Sequence, residues 1–351
     1  IAPMFGENDF ALCVSVGVVD GYGKNLCDYL TSKGELNLTV GQFFDINYEL
    51  TVCYKYNARI IAYVETYMGD NFVEKRQIEH NYPHCWRTDT PLIYRARQSI
   101  VVDVSNFKEE LLELNRQINW FPSNVGDNQF NIWLENARDW NISRDRYWGT
   151  PIPMWQEIDN SSNVIVIKNS HELEEYCGLT IDSITDLDRD KIDNLIINYR
   201  GKSYKRIDAV LDCWFDSGCV PSYFSGSNFI PSDFIAEGLD QTRGWFYTSL
   251  VLGYIHSRYV NKIALPSFKN VVVNGIVLAA DKKKMSKRLG NYPDPNKLIN
   301  ECGADALRMY LLNSPAAHGV EMAFREKEVE EMARNAMVPY YSAINFLQMY
   351  K

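Results

Sequence analysis

The residues best equipped for chemistry lie at positions 281–290, DKKKMSKRLG. Five of the seven residues from 282 to 288 are cationic, in a chain whose formal net charge is −9. Ammonium groups packed this closely repel one another, and a polyphosphate partner would offset that cost. A bare lysine run, taken alone, is better explained as a solvated basic loop. A second group sits at 234–246, FIAEGLDQTRGWF, where Glu237, Gly238, Asp240 and Gln241 follow an apolar stretch. The pattern predicts a short strand, a glycine and a helix opening at Asp240 and Gln241. Backbone N–H groups at such a helix start suit a phosphorylated or otherwise polar ligand. A third group is 210–218, VLDCWFDSG. It is expected to be a buried strand ending in Asp-Ser-Gly, where open α/β sheets place ligand groups. Trp214 and Trp245, as single residues, read as core packing.

These groups need elements to position them. Residues 271–280, VVVNGIVLAA, are apolar and β-branched around Asn274-Gly275. An Asn-Gly step between such runs predicts a hairpin or tight turn that delivers the basic loop to a sheet edge. The helix after Gln241 is expected to run to Tyr259, with Phe246, Leu250, Leu252 and Ile255 inward. Upstream, Asn106 with Glu109 three residues later predicts a capped helix, with Phe107, Leu111, Leu114 and Ile118 as its buried stripe. Residues 11–19, 48–54, 59–67, 99–104 and 163–168 read as strands, and 182–193 as loop plus helix. Helices are predicted at 296–301 and 304–312 on either side of Gly303. A long amphipathic helix follows from 326 to 350, with Val329, Met332, Ala336, Met337 and Ala343 on one side. Residues 138–155, RDWNISRDRYWGTPIPMW, form a rigid, irregular segment. Its Arg144, Arg146, Tyr147 and Trp148 could stack and bind phosphate, or plug the gap between two domains.

With 351 residues, 46% hydrophobic and 23% charged, the chain has the composition of an ordinary globular protein of two or three domains. A pI of 5.2 argues against indiscriminate coating of nucleic acid, so RNA contact must use local basic patches such as 282–288. The eight cysteines are scattered without a C-x-x-C pair, which fits a reducing compartment. No apolar run reaches membrane-span length and no signal peptide is visible, so no membrane partner is expected. His80, His84 and Cys85 sit close together, but Pro83 interrupts them and Thr88 stands where a zinc knuckle needs a second thiolate. Zinc is therefore not expected, and no metal site is assigned.

Residues 284–288, KMSKR, resemble the KMSKS loop of class I aminoacyl-tRNA synthetases. APMFGENDF, CWRTDTPLIYRA, ISRDRYWGTPIP, WFDSG, AEGLDQTRGWF, VNG, KMSKR and GADALRMYLLNSP follow in the order found in isoleucyl-tRNA synthetases. The resemblance spans nearly the whole chain and is nearest to the eukaryotic cytosolic branch. Valyl- and leucyl-tRNA synthetases share the KMSKS loop, while the tryptophans of WFDSG and DQTRGWF point to isoleucine.

The resemblance implies an α/β fold: part of a class I Rossmann-type parallel sheet, the end of a β-rich editing insertion, and the start of an α-helical anticodon-binding domain. The implied boundaries are 1–76 for the editing domain, 77–270 for the second half of the catalytic domain, 271–322 for the KMSKS region and stem-contact helices, and 323–351 for the first anticodon-domain helix. The implied activity is ATP-dependent activation of isoleucine, transfer to tRNA(Ile), and hydrolytic editing of mischarged valine.

By the same resemblance Lys284 and Lys287 neutralise the departing phosphates, within an ATP loop of Lys284, Met285, Ser286, Lys287 and Arg288 together with Asn274 and Gly275. Glu237, Gly238, Asp240 and Gln241 would hold the adenylate, and Trp214 and Trp245 the isoleucine side chain. IAPMFGENDF resembles the editing motif HxAPxFGxxD, which makes Asp9 the ligand of the amino group. ATP with Mg2+, isoleucine and tRNA(Ile) are the implied partners, with a multi-synthetase complex beyond them and a cytoplasmic location. None of the five histidines lies in an HxGH motif, and the chain opens with IAPMFG, so it reads as an internal piece that does not catalyse ATP–pyrophosphate exchange alone. The alternatives are an inert synthetase-derived tRNA-binding module and a valyl-tRNA synthetase.

Overall fold

The computed structural model describes every residue except 1–2, 22, 24, 32–33, 37–56, 78, 86–87, 181, 224–227 and 288. The chain divides into two compact units, Ile1–Gln98 and Ser99–Lys351.

In the first unit, α1 (Glu7–Ser15) and α2 (Asn57–Tyr67) occupy stretches whose β-branched and aromatic content predicted strands at 11–19 and 59–67. In α1, Glu7 and Asp9 lie in the first turn, where negative charge complements the helix dipole. Only Val14 and Ser15 of the valine-rich stretch 14–19 lie in α1, which ends at Ser15. The strand expected at 48–54 lies outside the described residues. Arg95 closes this unit on itself, pairing with Asp28 and donating from Nη1 to the Thr31 carbonyl at 2.8 Å.

The second unit opens with β1 (Val101–Val102), shorter than the strand predicted at 99–104, and α3 (Lys108–Asn115). Asn106 does not cap that helix. A 3-10 turn over Val104–Phe107 precedes it, and the Asn106 amide donates to Asp103 instead. The predicted stripe does enter the core: Leu111, Leu114 and Ile118 are buried, and Phe107 stacks on Tyr254 at 4.7 Å. Next come β2 (Asn119–Phe121), α4 (Asn131–Glu135), β3 (Trp140–Asn141) and β4 (Ser143–Arg144). An antiparallel sheet follows, built from β5 (Met154–Glu157), β6 (Val164–Val166), β7 (Ile196–Tyr199) and β8 (Lys202–Arg206) in the order β6-β5-β8-β7. With α5 (Ser170–Cys177) it has its own core around Trp155, Leu173 and Ile197.

Then come β9 (Val210–Leu211), α6 (Cys213–Gly218), β10 (Ile235–Gly238), α7 (Trp245–Val260) and β11 (Asn270–Asn274). Strands β10, β11 and β2 pair in that order, parallel throughout. Parallel sheets need cover on their faces. Here α3 and α7 contribute Leu111, Leu114, Phe246 and Leu250 to the same core as Val271 and Val273 of β11. Ile255, predicted inward, is 38% exposed, because α7 is buried all round from Phe246 to Tyr254 and emerges beyond it.

Beyond β11 lie β12 (Val277–Leu278), α8 (Pro295–Cys302), α9 (Ala304–Leu312), β13 (Met322–Ala323), α10 (Glu326–Met332) and α11 (Val338–Met349). Residues 326–349 are helical throughout, with a π-helical stretch at Ala333–Met337. Val329 is buried and Met332 and Met337 pack beside it, whereas α11 buries no residue.

The Asn274-Gly275 hairpin is not formed. Strand β12 leaves the sheet and pairs parallel with β13. A close crossing explains the glycine: its N–H donates to the Ala316 carbonyl at 2.7 Å, and a Cβ there would fall 2.0 Å from the Val320 carbonyl oxygen.

Candidate functional site

The ends of β10 and β11 lie side by side, with Gly238 opposite Asn274. The chain then turns through a 3-10 segment, Leu239–Arg243, before α7 begins at Trp245. The helix start predicted at Asp240 and Gln241 is thus this tighter turn. Both side chains are used within it. A Cβ on Gly238 would come within 2.6 Å of Asp240 Oδ1 and 3.7 Å of Asn274 Nδ2, so the missing side chain lets the carboxylate fold over the strand end. Gln241 donates from Nε2 to Asp240 at 3.2 Å and accepts the Trp245 backbone N–H at 3.1 Å. It thereby satisfies one of the donors left open at the start of α7. Glu237 is exposed one residue back on the same strand.

Both tryptophans border this turn. Trp245 donates its indole N–H to the Ser217 carbonyl at 2.7 Å, tying α7 to α6. Trp214 Cη2 lies 3.4 Å from where a Gly244 Cβ would be, and Gln241 Oε1 lies 2.8 Å from the same point. Trp214 is 39% exposed, more than a core tryptophan, and lines an open cleft of about 710 Å3 with Arg146, Trp148, Thr150 and Asp216. The segment carrying Trp214 is a helix rather than the strand end predicted for 210–218. The physical reason is Asp212, whose carboxylate accepts the Trp214 backbone N–H at 3.2 Å and caps α6.

Arg144 does not remain available for phosphate. Its guanidinium is taken by Asp212 at 2.6 Å and by the Asn141 and Ser143 carbonyls at 2.7 and 3.0 Å. Tyr147 and Trp148 are 74% and 82% exposed, so the segment is no buried plug. Arg189 holds it, donating to the Arg146 carbonyl at 2.9 Å and lying over the Tyr147 ring at 5.6 Å.

The basic loop is ordered by its own backbone. The Ala279 N–H donates to the Lys283 carbonyl at 2.9 Å, and Leu278 bridges to Lys284. Asp281 accepts the Lys283 N–H at 3.1 Å and pairs with its ammonium group at 3.3 Å. That N–H, with the side chain's help, holds the Asp281 carboxyl below the usual carboxylate range. Asn291 clamps the far side: Oδ1 accepts the Ser286 N–H at 2.9 Å and Nδ2 donates to the Lys284 carbonyl at 3.2 Å. Met285 packs against the cluster of Leu298, Phe324 and Val329. Lys284 and Lys287 are exposed, and among the described residues neither has a carboxylate within ion-pair distance. Arg288 lies outside the described residues.

Asn291 and Asp212 were not singled out from sequence as site residues. An Asp two residues before a buried-looking Trp was a readable capping signal.

In the first unit Asp9 is the third residue of α1, not a turn residue. Its carboxylate folds back over Gly6, where a Cβ would lie 2.8 Å from Oδ2. Around 80–85, His84 Nδ1 lies 3.0 Å from the Tyr82 carbonyl. No cluster of three or more His, Cys, Asp or Glu side chains arranged to hold a metal occurs among the described residues. None of the described helices is long and apolar enough to cross a membrane.

Residues 26–323 match the family described as tRNA synthetases class I (I, L, M and V). The chain belongs to the class I tRNA synthetases. The matched span of this synthetase chain holds Trp214, Glu237, Gly238, Asp240, Gln241, Trp245, Asn274, Lys284 and Lys287, whereas Asp9 precedes it. The probable cytoplasmic isoleucine–tRNA ligase of Enterocytozoon bieneusi is 40% identical over 98% of this chain and 38% of its own length. The cytoplasmic isoleucine–tRNA ligase of Saccharomyces cerevisiae is 42% identical over 99% of this chain and 32% of its own length. The chain thus spans well under half the length of these two curated relatives. The solved LeuRS–tRNA–LeuAMS complex of Agrobacterium radiobacter K84 aligns over 57% of this chain and 27% of that one, at 23% identity and a TM-score of 0.44.

The site also carries a reactivity contrast. Cys213, beside Trp214, is exposed, while burial pushes the Cys219 thiol up to about 11. The thiolate is the nucleophile, so a maleimide at neutral pH is expected to label Cys213 well before Cys219. Peptide mapping of partly labelled protein checks this; equal labelling would mean that α6 opens readily.

Proposed function

We propose that this chain is the central part of an isoleucine–tRNA ligase. The observation that carries the reading is the convergence of Gly238, Asp240, Gln241, Trp245, Trp214 and Asn274 at one end of a parallel sheet in a class I synthetase chain. In this reading the isoleucine carboxylate attacks the α-phosphate of ATP, pyrophosphate leaves, and the acyl group passes to a ribose hydroxyl of tRNA(Ile). No covalent enzyme intermediate is required, so the residues position groups and stabilise charge. The turn from Glu237 to Gln241 holds the ribose and aminoacyl parts of the adenylate. Trp214 and Trp245 enclose the aliphatic side chain. Lys284 and Lys287, without carboxylate partners among the described residues, meet the charge that builds on the phosphates; Arg288 and Asn274-Gly275 complete that loop. ATP, accompanied by Mg2+, is a substrate here rather than a resident group.

The boundaries proposed with it are 1–76 for the end of the editing domain, 77–270 for the catalytic sheet, 271–322 for the loop and stem-contact helices, and 323–351 for the start of the anticodon-binding part. A cytoplasmic location agrees with the names of the two relatives. Assembly into a multi-synthetase complex rests on the resemblance alone.

Isoleucine-dependent ATP–pyrophosphate exchange by the complete enzyme tests the proposal. Exchange stimulated more by valine would turn it toward a valyl enzyme, and none with any aliphatic amino acid toward an inert tRNA-binding module. A pocket of this kind discriminates weakly against one missing methylene: the known isoleucine enzyme's ratio of about 150 is itself the standard illustration. Editing of mischarged valine is therefore part of the proposal, with Asp9 as the group that binds the amino end. Asp9→Ala is expected to slow deacylation of Val-tRNA(Ile) while leaving isoleucine activation nearly unchanged. Equal loss of both activities would instead assign Asp9 only to the first turn of α1.

A further inference from the structure

We propose that Asp212 is a positioning residue that sets the Trp214 wall of the amino-acid pocket and so the discrimination between isoleucine and valine. The proposal rests on the reading above, in which Trp214 contacts the aliphatic side chain. Asp212 is only 5% exposed, and a carboxylate buried this far is costly unless its oxygens are satisfied. Its two oxygens divide the work. Oδ2 accepts from the Trp140 indole at 3.1 Å and from the Arg144 guanidinium at 2.6 Å, which fixes it to β3 and β4. Oδ1 accepts the Trp214 backbone N–H at 3.2 Å, with the Cys213 thiol at 3.6 Å. One side chain therefore fastens the start of α6 to two strands.

The other end of that short helix is held by the Trp245 indole on the Ser217 carbonyl at 2.7 Å. Trp214 sits between these two fastenings, with its ring against Gly244 and beside Gln241. Losing the carboxylate leaves only the Asp212 N–H on the Ile142 carbonyl, at 2.8 Å, so α6 can pivot about that backbone bond while the Trp245 end stays attached. The indole of Trp214 then moves relative to the strand-end turn, and the width of the pocket changes. A neutral Asn at 212 would still accept the Trp214 N–H, whereas an Ala would not.

The test is steady-state exchange by the complete enzyme with isoleucine and with valine. Asp212→Ala is expected to lower the Ile/Val ratio of kcat/KM about tenfold, mainly through KM for isoleucine, with KM for ATP little changed. Asp212→Asn keeps the bond to the Trp214 N–H but sets an NH2 against the Trp140 and Arg144 donors, so it should lower the ratio less than Asp212→Ala does, and it carries the test if Asp212→Ala does not fold. The decisive comparison is a double-mutant cycle with Trp214→Phe. If Asp212 acts through Trp214, its substitution has a smaller effect on the ratio once the indole is replaced by the shorter Phe ring. Additive effects, or equal losses for both amino acids with the ratio unchanged, would overturn the proposal while the pocket assignment stands. A Trp214→Phe enzyme with an unaltered ratio would overturn the pocket assignment itself, and this proposal with it.

Discussion

Lys284→Ala and Lys287→Ala are each expected to slow adenylate formation in the complete enzyme about a hundredfold, the usual loss when one preorganised charge-stabilising group is removed. Isoleucine binding should change little. Charge grows on the bridging and pyrophosphate oxygens mainly in the transition state, so a cation placed there acts differentially. The structure separates these two lysines from their neighbours. Lys283 is engaged by Asp281 through both its backbone and its ammonium group. Lys282 sits at the tip of the turn with φ of 63°. The Lys283 ammonium is thus already paired, and Lys282 lies outside the Asn291 clamp, which fixes the backbone at Lys284 and Ser286. Lys282→Ala and Lys283→Ala should therefore give small effects that fade with added salt. Single-turnover kinetics on all four variants decides the matter. Four equal, small effects would mean a solvated basic loop and no phosphate role.

Strand β10, the β-branched run of β11, the long helix α7 and the helices flanking Gly303 were legible from their periodic or capping patterns, whereas β2, which completes the parallel sheet, was not read as a strand. What failed was short and decided by partners distant in sequence. Residues 213–218 look apolar enough for a strand, yet Asp212 caps them into a helix by reaching β3 and β4, some 70 positions earlier. Asn274-Gly275 has the composition of a hairpin turn. Its glycine is required instead by the passage of residue 320, which no local pattern announces. Residues 11–15 read as β only as the start of the valine-rich stretch 11–19, but the acidic first turn and the fold of Asp9 over Gly6 favour the helix. In the sequence the candidate site is only a set of letters. That Gln241 starts α7 and that Arg144 is committed to Asp212 could be seen only in three dimensions.

Gly275→Ala should be the most damaging single methyl addition near the site. The new Cβ would lie 2.0 Å from the Val320 carbonyl oxygen and 2.7 Å from its nitrogen, and backbone on both sides has no flexible end to move aside. The strain falls in the upper part of the ~1–3 kcal/mol range for overpacked positions, or beyond it. Relief requires β12 and β13 to separate, and β12 is the strand that leads into the basic loop. The expected result in the complete enzyme is faster amide exchange across 275–279 and 320–324, together with a loss of isoleucine-dependent pyrophosphate exchange. Gly290→Ala provides the contrast. That glycine has φ of 58° with nothing among the described residues within 4 Å of the added carbon, so the left-handed backbone is what is penalised, by roughly 1 kcal/mol. If Gly275→Ala proves as mild as Gly290→Ala, the crossing of residues 275 and 320 does not hold the loop in place. The basic loop would then owe its position to its own backbone bonds, the Asn291 clamp and the Met285 contact.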